Sequence, residues 1–420
     1  MGFMKKIQLI LLFVSFIIHV CYSQCPGDVN LDYRVDGEDI LAVVDHVLTT
    51  DSIQDDSFIN GDLDGSTVID LFDLTALTDI SLATANEWCE FQPIDLSSEW
   101  EIQQNLSYYD SGALQSIVSE SIPSLGYIRG FIVIHRGKIV SEEYYYDSSM
   151  NQEFNIWSVT KSFISTLVGQ AIDQGYITNQ FVTLDSIFYE NDYTTQVSLD
   201  HVLSMTSGWP DSWYYMYTNN IINVLLDTGL LYEPGTQFFY NNAANHINSY
   251  VIQETTGMTP KTFAMEHLFP KLGLGNPYWD TDADDVNNGS YDLFLTLRKM
   301  VKLGQLYLQD GFAGDEQILS SEWINEATSS QAQPGWGDGY GYLWWLPGEG
   351  YLAIGLGGQF IAVIPQLDLV VGTHSSSSSS NNYFNTLLSI IYSQVVPLFD
   401  LSDVREGRDL DFKSLPIHLH

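Results

Sequence analysis

The chain has little positive charge. Its 420 residues carry 15 Lys and Arg against 53 Asp and Glu, a formal net charge of −38. Such a field repels nucleic acid and anionic membranes, which excludes nucleic-acid binding as a main function. It points instead to cation binding, a saline habitat, or both. Cysteine is scarce as well: Cys21, Cys25 and Cys89 are too few for a disulfide scaffold or a zinc cluster. No apolar run reaches the roughly 20 residues that a membrane helix needs. G-x-S-x-G, H-E-x-x-H, phosphate-loop and dinucleotide fingerprints are all missing, which argues against a nucleophile elbow, a zincin or a nucleotide enzyme. His201, His246, His267 and His374 lack metal-ligand spacing, and each is expected to serve a structural role. Apolar side chains are not scarce. Hydrophobic residues make up 45% and aromatics 13%, enough for a large core, and the length suits two or three domains.

At the N-terminus Lys5 and Lys6 precede an apolar run from Ile7 to Val20. Cys21-Tyr22-Ser23 then places small residues at −3 and −1 before Gln24. This is the three-part layout of a secretory signal peptide over residues 1–23, with a retained anchor as the competing reading. Cleavage near Ser23 would give a secreted protein, extracellular or periplasmic. It would leave Cys25 and Cys89, a pair suited to an oxidising compartment.

Residues 24–90 contain a repeat. Asp28, Asn30, Asp32, Asp36 and Asp39 place side-chain oxygens at positions 1, 3, 5, 9 and 12 of one loop, and Asp62, Asp64, Ser66, Asp70 and Asp73 do so in a second that starts 34 residues later. Position 7, Arg34 or Val68, would add its carbonyl, completing the ligand spacing of a 12-residue calcium loop. Position 8 is apolar in both, Val35 and Ile69, and an amphipathic helix pattern follows each loop. Two features depart from the usual loop: position 6 is Tyr33 or Thr67 rather than Gly, and position 12 is Asp rather than Glu. The segment holds sixteen acids and one base, yet the rest of the mature chain is also acidic, so calcium accounts for only part of the charge.

Paired loop–helix units ending in Asp resemble dockerin modules, the calcium-dependent plugs of secreted enzymes. The resemblance implies structural calcium and a cohesin-like scaffold partner. The near two-fold symmetry of such modules brings their ends together, which implies a Cys25–Cys89 disulfide at the base.

Residues 91–105 are polar and read as a linker. Beyond them, Gly130 to His135 and Lys138 to Val140 form a hairpin pattern turning at Arg136-Gly137. Helical spacing runs from Ile156 to Ile172 with Gly175 as a stop. The middle third is helix-like. Strand patterns return at Tyr340–Trp345, Tyr351–Ile354, Gln359–Ile364 and Leu367–Thr373, before a closing helix over Tyr383–Val396. Strands, helices, strands and a helix in blocks predict an α+β domain over residues 106–400, with 401–420 as a tail.

Ser158-x-x-Lys161 opens the predicted helix. Residues three apart share a helix face, so the lysine lies beside the hydroxyl and can take its proton. The motif is weak alone, since a capping serine with a solvated lysine reads the same way. Two others follow in order: Tyr240-Asn241-Asn242, 79 residues beyond Lys161, and the glycine-bearing Gly355-Leu356-Gly357-Gly358-Gln359. Together they resemble the serine β-lactamase and penicillin-binding-protein superfamily, nearest the class C β-lactamase-related hydrolases, which include esterases and 6-aminohexanoate-dimer hydrolases. Leu203 to Gly208, Gly341 to Trp345 and Val363-Ile364-Pro365 support it.

The resemblance implies a β-lactamase/transpeptidase-like fold, with an antiparallel sheet flanked by helices and a helical subdomain. It makes Ser158 the acylated nucleophile, Lys161 and Tyr240 the proton-transfer groups, and Asn242 the holder of the substrate carbonyl or amide. Gly357, Gly358 and Gln359 fall at the oxyanion and substrate edge, with the N–H groups of Ser158 and Gly358 as donors. No catalytic cofactor is implied. Penicillin-recognising members carry K-T-G or H-T-G where this chain has Gly355-Leu356-Gly357. The missing cation favours a neutral ester or small amide as substrate. Trp209, Trp213, Tyr214, Tyr215, Tyr217, Trp344 and Trp345 are candidate pocket walls. The alternative function is a receptor of the same fold that has lost turnover.

Overall fold

A computed structural model of the chain describes residues 25–29, 35, 37–49, 61–63, 68–69, 71–84, 91–103, 110–188, 196–376 and 380–399. The expected signal peptide and the C-terminal tail lie outside these residues. So do Cys89 and the loop positions Asn30, Asp32, Arg34, Asp36, Asp64, Ser66 and Asp70. The described residues fall into two compact units divided between Gln92 and Pro93, with Asp110 and Ser111 grouped with the smaller.

The smaller unit holds helices α1 (Gly37–Thr49) and α2 (Leu71–Thr84), each beginning at position 10 of its loop. The repeat is structural as well as sequential. Position 12 of each loop folds back on position 2: Val29 N–H donates to Asp39 Oδ1 and Leu63 N–H to Asp73 Oδ1, both at 2.7 Å. The position-8 residues Val35 and Ile69 are buried together with Val29, Val43, Leu77 and Cys25. Gly27 and Gly61 precede the two loops at equivalent places. A Cβ at Gly27 would press on Val35 at 2.8 Å, and one at Gly61 on Ile69 at the same distance. Cys25 is disulfide-bonded.

The larger unit is built on an eight-stranded sheet with the order β1-β3-β2-β12-β11-β10-β9-β8. Its strands are β1 (Glu101–Ile102), β2 (Ile128–His135), β3 (Lys138–Tyr144), β8 (Gly339–Tyr340), β9 (Trp345–Leu346), β10 (Tyr351–Gly355), β11 (Gln359–Ile364) and β12 (Leu369–Ser375). Two small pairs lie outside it, β4 (Phe154–Asn155) with β5 (Phe294–Leu295) and β6 (Phe312–Ala313) with β7 (Glu316–Gln317). The β2–β3 hairpin turns at Arg136-Gly137 as its alternation requires, with both residues at positive φ. Pairing along the sheet is antiparallel except at β1, which runs parallel to β3. The sheet is therefore mixed, where an antiparallel one was expected.

The long helices of this unit include α3 (Val159–Asp173), α4 (Asn242–Thr256), α5 (Leu297–Leu308) and α6 (Asn381–Ile390), of which α3 and α4 carry the site. Helix α3 is buried from Val159 to Ala171 on every side, as a central helix must be. Two of its buried hydroxyls find carbonyl acceptors: Ser162 donates to Leu343 O at 2.8 Å and Thr166 to Ser162 O at 2.9 Å. Among the described residues no helix is long and apolar enough to cross a membrane.

Two expectations change. Residues 94–102 are not a free linker. Leu96 and Trp100 are buried, Lys302 donates to Leu96 O and Ser98 O, Trp100 Nε1 donates to Arg298 O, and β1 joins the sheet. The polar composition misled because this strap anchors through its backbone carbonyls and two apolar side chains. The single strand expected over Tyr340–Trp345 is broken in two. Gly341 N–H donates to Trp344 O, and Leu343 takes a positive φ of 65°.

Candidate active site

Ser158 is the residue at which α3 begins. Its own side chain makes no capping bond, so the hydroxyl is not spent on the helix. The preceding Trp157 sits at φ 49°, an unusual conformation for a bulky side chain. A bracket holds it there: Asn155 Oδ1 accepts from Trp157 N–H at 2.8 Å, and Asn155 Nδ2 donates to Asp292 Oδ1 at 2.5 Å.

Lys161 follows one helical turn later and is 1% exposed. Its Nζ lies 2.9 Å from Ser158 Oγ, 2.8 Å from Asn242 Oδ1 and 2.9 Å from Ser290 O. Burial pulls its pKa down to about 7, while the Asp211 carboxylate pulls the other way. Amide and backbone oxygens only accept hydrogen bonds. A neutral Lys161 therefore spends its two N–H bonds on Asn242 and Ser290. Its lone pair is left facing the Ser158 hydroxyl, the arrangement a general base requires.

Tyr240 closes the group. Its ring lies 4.9 Å from Lys161 Nζ and stacks on Trp345 at 6.0 Å. Burial pushes the phenol well above its ordinary range, against the hydrogen bond it shares with Ser158. At neutral pH the phenol keeps its proton and the lysine is the group near its midpoint. The two candidates for proton transfer are thus set apart by their surroundings. Asn242 is the first residue of α4, whose cap is Asn241: its Oδ1 accepts from Ala244 N–H and its Nδ2 donates to Trp209 O.

The structure thus brings Ser158, Lys161, Tyr240 and Asn242 together. The glycine turn differs from expectation. It joins β10 to β11 beside Ser158: a Cβ on Gly355 would stand 2.3 Å from Ile156 O and 3.2 Å from Trp157 Cβ. Only glycine permits that approach, and no lysine fits there. Gly358 N–H, however, donates to Gly355 O at 3.2 Å. Gln359 is 1% exposed, with Nε2 donating to Ser375 O and Oε1 accepting from Ser375 N–H. Gly358 and Gln359 are therefore spent on the turn and on β12 rather than offered to a substrate. Leu356 and Gly357 form the middle of the turn.

The aromatic candidates divide. Trp209, Tyr215, Trp344 and Trp345 are buried, while Tyr214 and Tyr217 are 77% and 84% exposed. Trp213 has no described side chain. Trp157, the residue before the nucleophile, and Tyr291, the residue after Ser290, are both half-buried with centroids 6.2 Å apart, and neither was a sequence candidate. Two further residues escaped the sequence. Ser290 gives Lys161 its carbonyl and ties itself to Asn242 O through its hydroxyl at 2.7 Å. Asp211 accepts from the backbone N–H groups of Asn242 and Ala243. Their neighbourhood to the motifs exists only in the fold, although the sequence Ser207-Gly208-Trp209-Pro210-Asp211, a turn ahead of Tyr240, carried a hint.

His246 and His201 have structural hydrogen-bond partners. His246 Nε2 lies 2.9 Å from Asp282 Oδ2, and its Nδ1 accepts from Gly289 N–H at 3.0 Å. His201 bonds Ser198. His374 is buried against Phe154 with its pKa pushed down to about 3 by desolvation. Among the described residues no group of three or more His, Cys, Asp or Glu could hold a metal ion.

Comparison with known proteins agrees with this geometry. The beta-lactamase family profile matches residues 121–391. The chain is 22% identical over 291 residues to the 6-aminohexanoate-dimer hydrolase of Paenarthrobacter ureafaciens, covering 59% of this chain and 72% of that protein. A Bacillus anthracis structure, provisionally described as a 6-aminohexanoate-dimer hydrolase, superposes with a TM-score of 0.61 at 20% identity, over 73% of this chain and 89% of its own. EstCE1, a hydrolase with promiscuous acyltransferase activity, superposes with a TM-score of 0.52 at 16% identity, over 67% and 97%. The order of motifs, the mixed sheet flanked by helices and the profile match concur: the chain belongs to the beta-lactamase family.

Proposed function

We propose that the protein is a serine hydrolase that cleaves an ester or small amide through a Ser158 acyl-enzyme. The observation that carries this is the Lys161 amine, buried, held by two acceptors and directed at Ser158 Oγ 2.9 Å away. Ser158 Oγ attacks the substrate carbonyl carbon and its proton passes to Lys161 Nζ. As the tetrahedral species collapses, the bond from carbon to the leaving oxygen or nitrogen breaks. The leaving group takes a proton from Lys161, with Tyr240, whose ring lies 4.9 Å from Lys161 Nζ, as the relay. Water then attacks the acyl-enzyme by the same route in reverse. The Ser158 N–H and the N–H groups of the Leu356–Gly357 turn are the donors proposed for the oxyanion. With glycine at 355 no cation meets a substrate carboxylate there, which favours neutral substrates. The Paenarthrobacter relative is a 6-aminohexanoate-dimer hydrolase and EstCE1 is a hydrolase with promiscuous acyltransferase activity, in keeping with this class. A silent receptor would not need to keep a lysine near its midpoint beside an uncapped serine hydroxyl.

A fluorophosphonate tests the reading. It should add covalently at Ser158 alone, found by intact mass and peptide mapping. A label elsewhere, or none on a protein that hydrolyses p-nitrophenyl butyrate, rejects it.

We further propose that the smaller unit binds calcium as a dockerin-like module docking a cohesin-like scaffold, that Cys25 pairs with Cys89, and that the protein is exported by cleavage near Ser23. The buried carboxylates of Asp28, Asp39 and Asp73 and the 34-residue repeat of their contacts support this. An all-oxygen donor set suits a hard cation.

A further inference from the structure

We infer that Asp211 is a positioning residue of the hydrolytic site, aligning Asn242 and holding a carboxylate one layer behind it from Lys161. The inference rests on the hydrolase reading above. Asp211 Oδ1 accepts from Asn242 N–H at 2.9 Å and Ala243 N–H at 3.0 Å, the first two donors of α4. With Asn241 accepting from Ala244 N–H, the first three donors of the helix are met by side chains. Asp211 Oδ2 lies 3.4 Å from Asn242 Nδ2. That long contact has an orienting effect. An amide side chain can be turned either way, but a carboxylate accepts and never donates. Nδ2 must therefore face Asp211, and Oδ1 must face Lys161 Nζ, where it stands at 2.8 Å. A reversed amide would set N–H against N–H and remove one of the two acceptors that aim the lysine lone pair.

The charge acts in the same direction. Lys161 is faced by Ser158 from its own helix, by Tyr240 and Asn242 from the start of α4, and by Ser290 O from the segment before β5. Tyr215 and Tyr291 stand behind these as neutral phenols, and Asp292, on the Ser290 segment, is bound to Asn155 and Asn288. The carboxylate that acts on the lysine is Asp211, which offsets part of the desolvation. Lys161 is active as a base when neutral, so ester hydrolysis rises with pH through its pKa. Removing the Asp211 charge favours the neutral amine, and the rising limb moves to lower pH.

The experiment uses the full chain and p-nitrophenyl butyrate from pH 5 to 9, with circular dichroism as the folding check and fluorophosphonate labelling alongside. Asp211→Asn should lower kcat about tenfold with KM little changed, because the amide is no longer oriented, and should shift the acid limb down by about half a pH unit or more. Asp211→Ser keeps an acceptor for one helix N–H and should shift the limb the same way. Asp211→Glu keeps the charge and should leave the limb in place. A folded Asn or Ser variant with the limb unmoved overturns the inference, as does a Glu variant whose limb moves with theirs. Loss of folding in both neutral variants also overturns it, since Asp211 would then serve stability alone. Failure of wild-type labelling at Ser158 rejects the hydrolase reading instead.

Discussion

The two units differ in the charge they bury: carboxylates in the smaller, and in the larger three cations besides Asp282. In the smaller, Asp28, Asp39 and Asp73 are 2%, 0% and 0% exposed around a core of a few aliphatic residues. In the larger, Arg136, Lys161 and Lys302 are 4%, 1% and 5% exposed within an extensive apolar interior. An uncompensated buried charge is costly, so each must be met by a partner. The larger unit shows three ways of doing this. Arg136 bonds the Asp368 carboxylate at 2.7 Å. Lys302 is held by two backbone carbonyls and lies 5.8 Å from the Trp100 ring. Lys161, like Lys302, has only neutral oxygens in contact, with its carboxylate one layer away, but one of those oxygens is the Ser158 hydroxyl. A neutral Lys161 can take that proton, and this separates a base from a structural cation. In the smaller unit the carboxylates meet backbone N–H groups, and the proposed further partner is a cation from solution.

The largest expected effect tests the cation that can lose its proton. Lys161→Ala should lower kcat/KM for p-nitrophenyl butyrate by about a thousandfold or more, comparable to Ser158→Ala, because the pair acts as a unit. The variant should stay folded, since burying a lysine is costly in itself. Activity within tenfold of wild type would place the base elsewhere.

The next effect belongs to the smaller unit. Heating the full chain should give two transitions, and calcium should raise one of them. At a hundred times its dissociation constant the ion adds about 2.7 kcal/mol. Chelation should lower that transition while ester hydrolysis at lower temperature is unchanged, since Ser158, Lys161, Tyr240 and Asn242 all belong to the larger unit. Transitions indifferent to calcium would reject the ion and the dockerin likeness with it.

Legibility in the sequence followed locality. The Ser158–Lys161 pair was readable because a helix fixes residues three apart on one face. The β2–β3 hairpin was readable because two residues of turn chemistry separate two alternating runs. The loop repeat was readable from spacing, and its contacts repeat with the same 34-residue offset. What escaped is carried by the backbone or by distant segments. Ser290 acts through a carbonyl, which every residue has. Asp211 matters through the start of a helix 31 residues on. Gly358 looked like an oxyanion donor by motif, but whether an N–H is free depends on the turn it closes. The strap over residues 94–102 was missed for the same reason.

That strap gives the smallest effect and the closest test of the contrast. Lys302 should be a structural cation only. Its Nζ donates to Leu96 O at 2.7 Å and Ser98 O at 2.6 Å. Lys302→Ala leaves both carbonyls without that donor, at a cost of about 1–3 kcal/mol. It should lower the transition that calcium does not move. Lys302→Met retains much of the stem beside Trp100 and should recover the packing part alone, so that the difference between the two variants isolates packing from the lost hydrogen bonds. The pH dependence of ester hydrolysis should be unchanged in both, because Lys302 is bound to the strap and not to the site. If either variant shifted the acid limb as an Asp211 substitution is expected to, the separation of a structural cation from a catalytic one would fail.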